Sequence, residues 1–148
     1  MKHNVGWGGS FLHASLAVED LGLALEFYTR VFRARVIFQE FGMSDLIRRT
    51  TGLSDVTCDL AQLEFNGIPP LLELIAFHDV PRGQEDHAPV RFGHGHICFG
   101  TMEFDLALTS CLNNGAEPVG EVVLYPEGRA VYLREPGGSV IELEDTAK

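Results

Sequence analysis

The chain switches between two hydrophobic periods, and it runs through the same order of elements twice. Phe11–Val18 alternates with period two, placing Phe11, His13, Ser15 and Ala17 on one side and Leu12, Ala14, Leu16 and Val18 on the other. That pattern predicts a strand. Glu19-Asp20 then offers an acidic helix start with Asp20 as the N-cap. From Leu21 to Phe32 the apolar positions Leu21, Leu25, Tyr28 and Phe32 recur at helical spacing, with Ala24 and Phe27 beside them. Ala34–Phe41 is β-rich, and Ser44–Gly52, with a Ser cap and a Gly stop, predicts a short helix. Thr57–Phe65 and Leu71–Phe77 read as strands joined by an Asn66-Gly67-Ile68-Pro69-Pro70 turn. Residues 78–92, rich in proline, charge and turn formers, read as a linker. Beyond it come a strand at Gly95–Gly100, a helix at Glu103–Asn114 stopped by Gly115, and a strand at Glu117–Leu124. Gly128–Asp145 closes the chain as two strands around a tight Gly137-Gly138 turn.

The repetition extends to individual residues. An offset of 83 carries His13 onto His96, Leu16 onto Phe99, Leu21 onto Phe104, Ala24 onto Ala107 and Leu25 onto Leu108. An offset of 69 carries Leu72-Glu73-Leu74 onto Ile141-Glu142-Leu143. The first half therefore holds 14 more residues between its histidine and its glutamate, and the Met43–Val56 region is where they fit. The expected organisation is a single domain over 1–148, with module one at about 9–78 and module two at about 93–145. Each module reads strand, helix, then three strands, and paired modules bring equivalent positions together about a pseudo-twofold.

Composition narrows the function classes. With 148 residues and 45% hydrophobic content the chain can bury one sizeable core. A formal charge of −10 excludes nucleic-acid and anionic-membrane partners, which need a concentrated basic face; Arg48-Arg49 is the one adjacent basic pair. No apolar run reaches the roughly 18 residues of a membrane span, and the first residues lack the apolar core of a signal peptide. Cys58, Cys98 and Cys111, odd in number and widely spaced, predict reduced, mostly buried thiols in a cytoplasmic protein.

Four residues carry the candidate chemistry. His13 and His96 open apolar strands, and Glu73 and Glu142 each lie between two large apolar residues. Glu73 stands out, because its strand is apolar on both faces and an unpartnered buried carboxylate costs several kcal/mol or takes up a proton. A nearby cation removes that cost. Two imidazoles and two carboxylates form a mixed N/O shell suited to Ni, Co, Zn, Mn or Fe, with positions left for water or a bidentate substrate. Such a site polarises a carbonyl or enolate oxygen while a carboxylate moves a proton on the adjoining carbon. His94 shares a face with His96 if the strand reaches that far, but its flanking glycines predict a loop lip. His3, His78 and His87 fall in tail or linker and are expected to be solvated, as is Gln84-Glu85-Asp86.

These residues resemble the vicinal oxygen chelate superfamily, which includes glyoxalase I, methylmalonyl-CoA epimerase, extradiol dioxygenases and the fosfomycin and bleomycin resistance proteins. The matching pieces are His13-Ala-Ser-Leu-Ala-Val-Glu-Asp-Leu with Ala24-Leu25-Glu26-Phe27-Tyr28, Leu72-Glu73-Leu74, His96-Ile-Cys-Phe, and Arg129 to Leu143 through Glu135-Pro136-Gly137-Gly138. The resemblance implies an α+β fold of paired βαβββ modules forming a half-open eight-stranded barrel, with one divalent metal in the cleft. It implies metal ligands His13, Glu73, His96 and Glu142, with Glu142 or Glu73 as catalytic base and a homodimeric assembly. Extradiol and fosfomycin enzymes leave the position of Glu73 without a ligand, so the filled position points to the glyoxalase and epimerase branch, a lyase or isomerase. Ala17 and Phe77 occupy places where glyoxalase I carries glutathione-binding Arg and Asn, which argues against glutathione. Two alternatives stand beside this reading: an Fe or Mn extradiol-type dioxygenase using His13, His96 and Glu142, and a metal-free binding protein of the bleomycin-resistance type.

Overall fold

The computed structural model describes residues 9–80 and 93–147. Its elements are β1 (His13–Ala17), α1 (Leu21–Val31), β2 (Arg35–Met43), α2 (Asp45–Thr51), β3 (Thr57–Phe65) and β4 (Ile68–His78) in the first module. The second module holds β5 (Ile97–Thr101), α3 (Phe104–Asn113), β6 (Glu117–Pro118), β7 (Val123–Tyr125), β8 (Gly128–Arg134) and β9 (Val140–Asp145). One sheet runs β1-β4-β3-β2; the other runs β5-β9-β8-β6 with β7 also paired to β8. This is the α+β architecture of paired βαβββ modules, in which β6 and β7 are one strand path broken at Gly120. The two sheets remain separate and unclosed, as a half-open barrel requires.

The repeat seen in sequence reappears as register. β1 lies parallel to β4 with Ser15 opposite Glu73, and β5 lies parallel to β9 with Cys98 opposite Glu142. Ser15 and Cys98 are themselves equivalent by the 83-residue offset. Likewise Gln62 of β3 faces Glu73, and Tyr132 of β8 faces Glu142.

Helix α1 starts where expected: the Asp20 carboxylate accepts from the Leu23 N–H at 2.8 Å, which satisfies one of the donors a helix start leaves free. Leu21, Ala24, Phe27 and Tyr28 form its buried stripe. They join Leu63, Leu72 and Leu74 from the first sheet and Leu133, Ile141 and Leu143 from the second in one core. Truncating a buried leucine of this kind to alanine costs about 2–5 kcal/mol. The modules meet through α1: Phe32 stacks on Phe99 of β5 at 3.9 Å between centroids, and the Glu19 N–H donates to the Gly137 carbonyl at 2.7 Å. Helix α2, seven residues within the 14-residue excess, ends on Gly52 at φ 74° and packs Ile47 with Met43 and Phe77 over Ile75, Leu60 and Cys58. It covers the face of the first sheet that α1 leaves open. Its Ser44 makes no side-chain cap bond.

Several boundaries differ from expectation. The β3–β4 turn is only Asn66-Gly67; Pro69 and Pro70 lie inside β4, in the stretch before β1 covers its edge. The last connection is not a two-residue hairpin. Residues 135–139 form a loop around Glu135, whose buried carboxylate accepts from the Gly137 N–H, from the Ser139 N–H at 3.1 Å and from the Ser139 hydroxyl at 2.5 Å. Burial pushes its pKa up against those bonds, and burial with the Glu135 charge pushes up the Tyr28 phenol. The linker residues 81–92 lie outside the described residues, with His87 and Gln84-Glu85-Asp86 among them, as does His3. No helix among the described residues is long and apolar enough to cross a membrane.

Candidate metal centre

Each sheet has one face packed on the core with α1 and α3 and one face turned away from it, which α2 partly covers in the first sheet, and all four predicted ligands belong to these outer faces or their edge. In β1 the helix side carries Ala14 and Leu16, while His13, Ser15 and Ala17 are exposed. In β4 Leu72, Leu74 and Ala76 enter the core, so alternation puts Glu73 on the other side with Ile75. In β5 Phe99 packs inward and Cys98 outward, and in β9 Glu142 alternates with buried Ile141 and Leu143.

On these faces the residues come together two by two. His13 Nε2 lies 3.9 Å from Glu73 Oε2, and His96 Nε2 lies 2.9 Å from Glu142 Oε2. His96 sits one residue before β5, and His94 is exposed in the loop before it, outside the strand. Among the described residues the two pairs are not assembled into one shell; the one group of three ligand atoms within 4.8 Å of one another is Cys98, Glu142 and Glu144. The spacing inside each pair nevertheless suits a shared ion. Two ligands each about 2.0–2.2 Å from a metal stand roughly 3–4 Å apart.

The two carboxylates differ in their surroundings. Glu73 Oε1 accepts from the Ser15 hydroxyl at 3.1 Å and Oε2 from the Gln62 amide at 3.2 Å. Glu142 has neither bond: the equivalent positions hold Cys98 and Tyr132, and the Cys98 thiol donates instead to Glu144 Oε2 at 3.5 Å. The Tyr132 ring lies 4.6 Å from that of His96. Burial, followed by the charges of Glu142 and Glu144, pushes the Cys98 thiol up to about 12, and burial with Glu142 also raises Tyr132. Both groups therefore stay protonated beside the carboxylates. Beside Glu142 a cavity of about 240 Å³ opens between Tyr132, Tyr125, Val119 and Val123.

Other sequence expectations resolve individually. Cys58, Cys98 and Cys111 are all free; Cys58 and Cys111 are buried and Cys98 is exposed. His78, expected to be solvated, bonds Asp59 at 3.0 Å at the end of β4, where Asp59 also accepts from the Gly42 N–H. Sequence reasoning missed Ser15 and Gln62 as partners of Glu73, although Ser15 sits two residues after His13 and thus on its face.

Comparison with known proteins gives the family and the fold. The family model described as Glyoxalase/Bleomycin resistance protein/Dioxygenase superfamily matches residues 10–143. A glyoxalase family protein from Bacillus cereus is 24% identical, covers 100% of this chain and 99% of its own, and superposes with a TM-score of 0.77. A glyoxylase/bleomycin resistance protein/dioxygenase domain from Frankia is 19% identical, with 93% and 98% covered and a TM-score of 0.66. The fosfomycin resistance protein FosX from Listeria monocytogenes, solved with Mn(II) and 1S,2S-dihydroxypropylphosphonic acid, is 17% identical, with 95% and 91% covered and a TM-score of 0.62. No curated protein matches the chain. A family match over nearly the whole chain, the repeated modules and a His–Glu pair on each sheet together place this protein in the Glyoxalase/Bleomycin resistance protein/Dioxygenase superfamily.

Proposed function

We propose that this chain is a divalent-metal enzyme of the glyoxalase and epimerase type, moving a proton at the carbon beside a carbonyl of a small substrate. His13, Glu73, His96 and Glu142 would hold the ion, which is Ni, Co, Zn, Mn or Fe. When bound, it would supply Lewis acidity toward a carbonyl or enolate oxygen. The His13–Glu73 and His96–Glu142 pairs sit beside β1 and β5, the outer strands of their sheets. A homodimer that sets β1 of one copy beside β5 of the other would complete the shell with two pairs. The free thiols fit a reducing compartment, and we place the enzyme in the cytoplasm.

The observation that carries the reading is the difference between the two glutamates. Glu73 is anchored through both oxygens by Ser15 and Gln62, while among the described residues Glu142 is bonded at 2.9 Å to His96 and has no such pair of anchors. Glu142 is the carboxylate with freedom to turn toward a substrate carbon and accept its proton; Glu73 stays in place. Metal content of protein purified without added metal, compared with Glu73→Ala, tests the four-residue shell, because equal content in both would remove Glu73 from it.

That same anchoring also favours a second reading. With both oxygens of Glu73 engaged, His13, His96 and Glu142 form the three-ligand set of an Fe or Mn extradiol-type dioxygenase. Oxygen uptake on addition of catechol would establish it in place of proton transfer.

A further inference from the structure

The sheet faces turned away from α1 and α3 carry an unequal set of charges. Residues directly across a strand pair share a face, so Phe38, Gln62 and Glu73 lie together, as do Tyr132 and Glu142. Extending the alternation places Glu40, Glu64 and Arg35 on the first of these faces and Glu117, Arg134 and Glu144 on the second. Both arginines are taken. Arg35 Nε donates to Glu64 Oε1 at 2.6 Å, and Arg134 is bound to Glu117. The two ion pairs occupy equivalent places with their signs exchanged: Arg35 opposite Glu64 on β2 and β3, Glu117 opposite Arg134 on β6 and β8. Among the described residues, each guanidinium on these faces is thus neutralised by its cross-strand neighbour. Glu40, Glu73, Glu142 and Glu144 remain as carboxylates. The cavity beside Glu142 has two tyrosine rings and three valines among its walls, with Glu121 as a further carboxylate.

We propose that the substrate of this site is an uncharged molecule with vicinal oxygens on a flat apolar body, held against Tyr132 and Tyr125, and not a phosphonate, carboxylate or thiol-peptide anion. This rests on the function proposed above and names the class of compound it acts on. An anion entering the cleft would meet carboxylates, a juxtaposition that costs several kcal/mol. It would also find the arginines of these faces engaged. A neutral aromatic ketone loses nothing to that field and gains ring contact with the tyrosines.

Two compounds of one size separate the cases: 2-hydroxyacetophenone, neutral, and phenylglyoxylate, which carries one negative charge. Calorimetric affinities are measured on the nickel-loaded and the chelator-treated full chain. In chelator-treated protein the neutral ketone is expected to bind at least about tenfold tighter, or about 1.4 kcal/mol. Glu117→Gln releases Arg134 and is expected to improve phenylglyoxylate by about fivefold or more while leaving the ketone unchanged. Equal or tighter binding of phenylglyoxylate to the chelator-treated chain, no response to Glu117→Gln, or no binding of either compound would overturn the proposal. A ketone affinity indifferent to nickel would instead count against the metal and leave the substrate class standing.

Discussion

At the scale of single residues, the neighbours of Glu73 decide how firmly its carboxylate is aimed. Replacing a hydrogen-bonded neighbour of a metal ligand typically costs about 10–100-fold in metal affinity. Ser15→Ala is therefore expected to weaken nickel binding by about tenfold or more, whereas Cys98→Ala, at the equivalent place, leaves it nearly unchanged. Competition with a calibrated chelator measures both. A second prediction concerns Arg129, which bonds Asp145 at 3.0 Å and Asp105 at 2.8 Å and lies 4.5 Å over the Phe104 ring. A backbone bond from Ala147, and then Arg129, hold Asp145 below the ordinary aspartate range. A depressed carboxylate stabilises the fold above its unfolded pKa, and that contribution is lost as pH falls through the folded one. Arg129→Ala should lower the melting temperature at neutral pH, with the gap to wild type closing as pH drops below about 4. The two His–Glu pairs were legible because repetition made each residue count twice. Ser15 and Gln62 were not, since hydroxyls and amides occur anywhere on a wet strand face and nothing marks a partner until the register is known. Glu135 was hidden for another reason: beside Pro136 and two glycines it reads as turn chemistry, and only the folded loop closes around it.

Among the elements, α1 and the 135–139 loop fasten one module to the other. A Cβ at Gly137 would stand 2.4 Å from Ala24 Cβ and 2.8 Å from Glu135 Oε2. Ala24 is fixed by the backbone of α1, and the Glu135 carboxylate is held by its bonds from Gly137 and Ser139. Gly137→Ala is expected to cost about 1–3 kcal/mol, and at about 2–4 °C per kcal/mol for a chain of this size thermal melting should reveal it. Gly52→Ala, at a position with φ 74° and open space around it, tests backbone strain without crowding. The helices and long strands were readable from period alone. What the period could not give was where pairing stops: β4 takes in Pro69 and Pro70 because proline is admissible near a strand's first residues. Gly120 splits the path of β6 and β7, since a strand interior with no side chain to pack is weakly held.

On the scale of the whole molecule, the separation of the two half-sites makes a test that needs no substrate. If each shell takes one pair from each of two copies, a heterodimer of His13→Ala and His96→Ala chains contains one doubly damaged shell and one intact shell. Mixing the two variants under exchange conditions should then restore tight metal binding that neither shows alone, read by metal analysis after gel filtration. If every shell belonged to a single chain, mixing would restore nothing. Two modules that match so closely would, left alone, build a cleft that looks the same from either end. A substrate could then turn over end for end without penalty, and a proton could be delivered to either side of its carbon. Helix α2 belongs to one module only and lies on the face that carries Glu73, so one end of the cleft has a wall that the other lacks. In the enzyme proposed above, that asymmetry would fix which way round a guest is seated, and with it the handedness of what leaves.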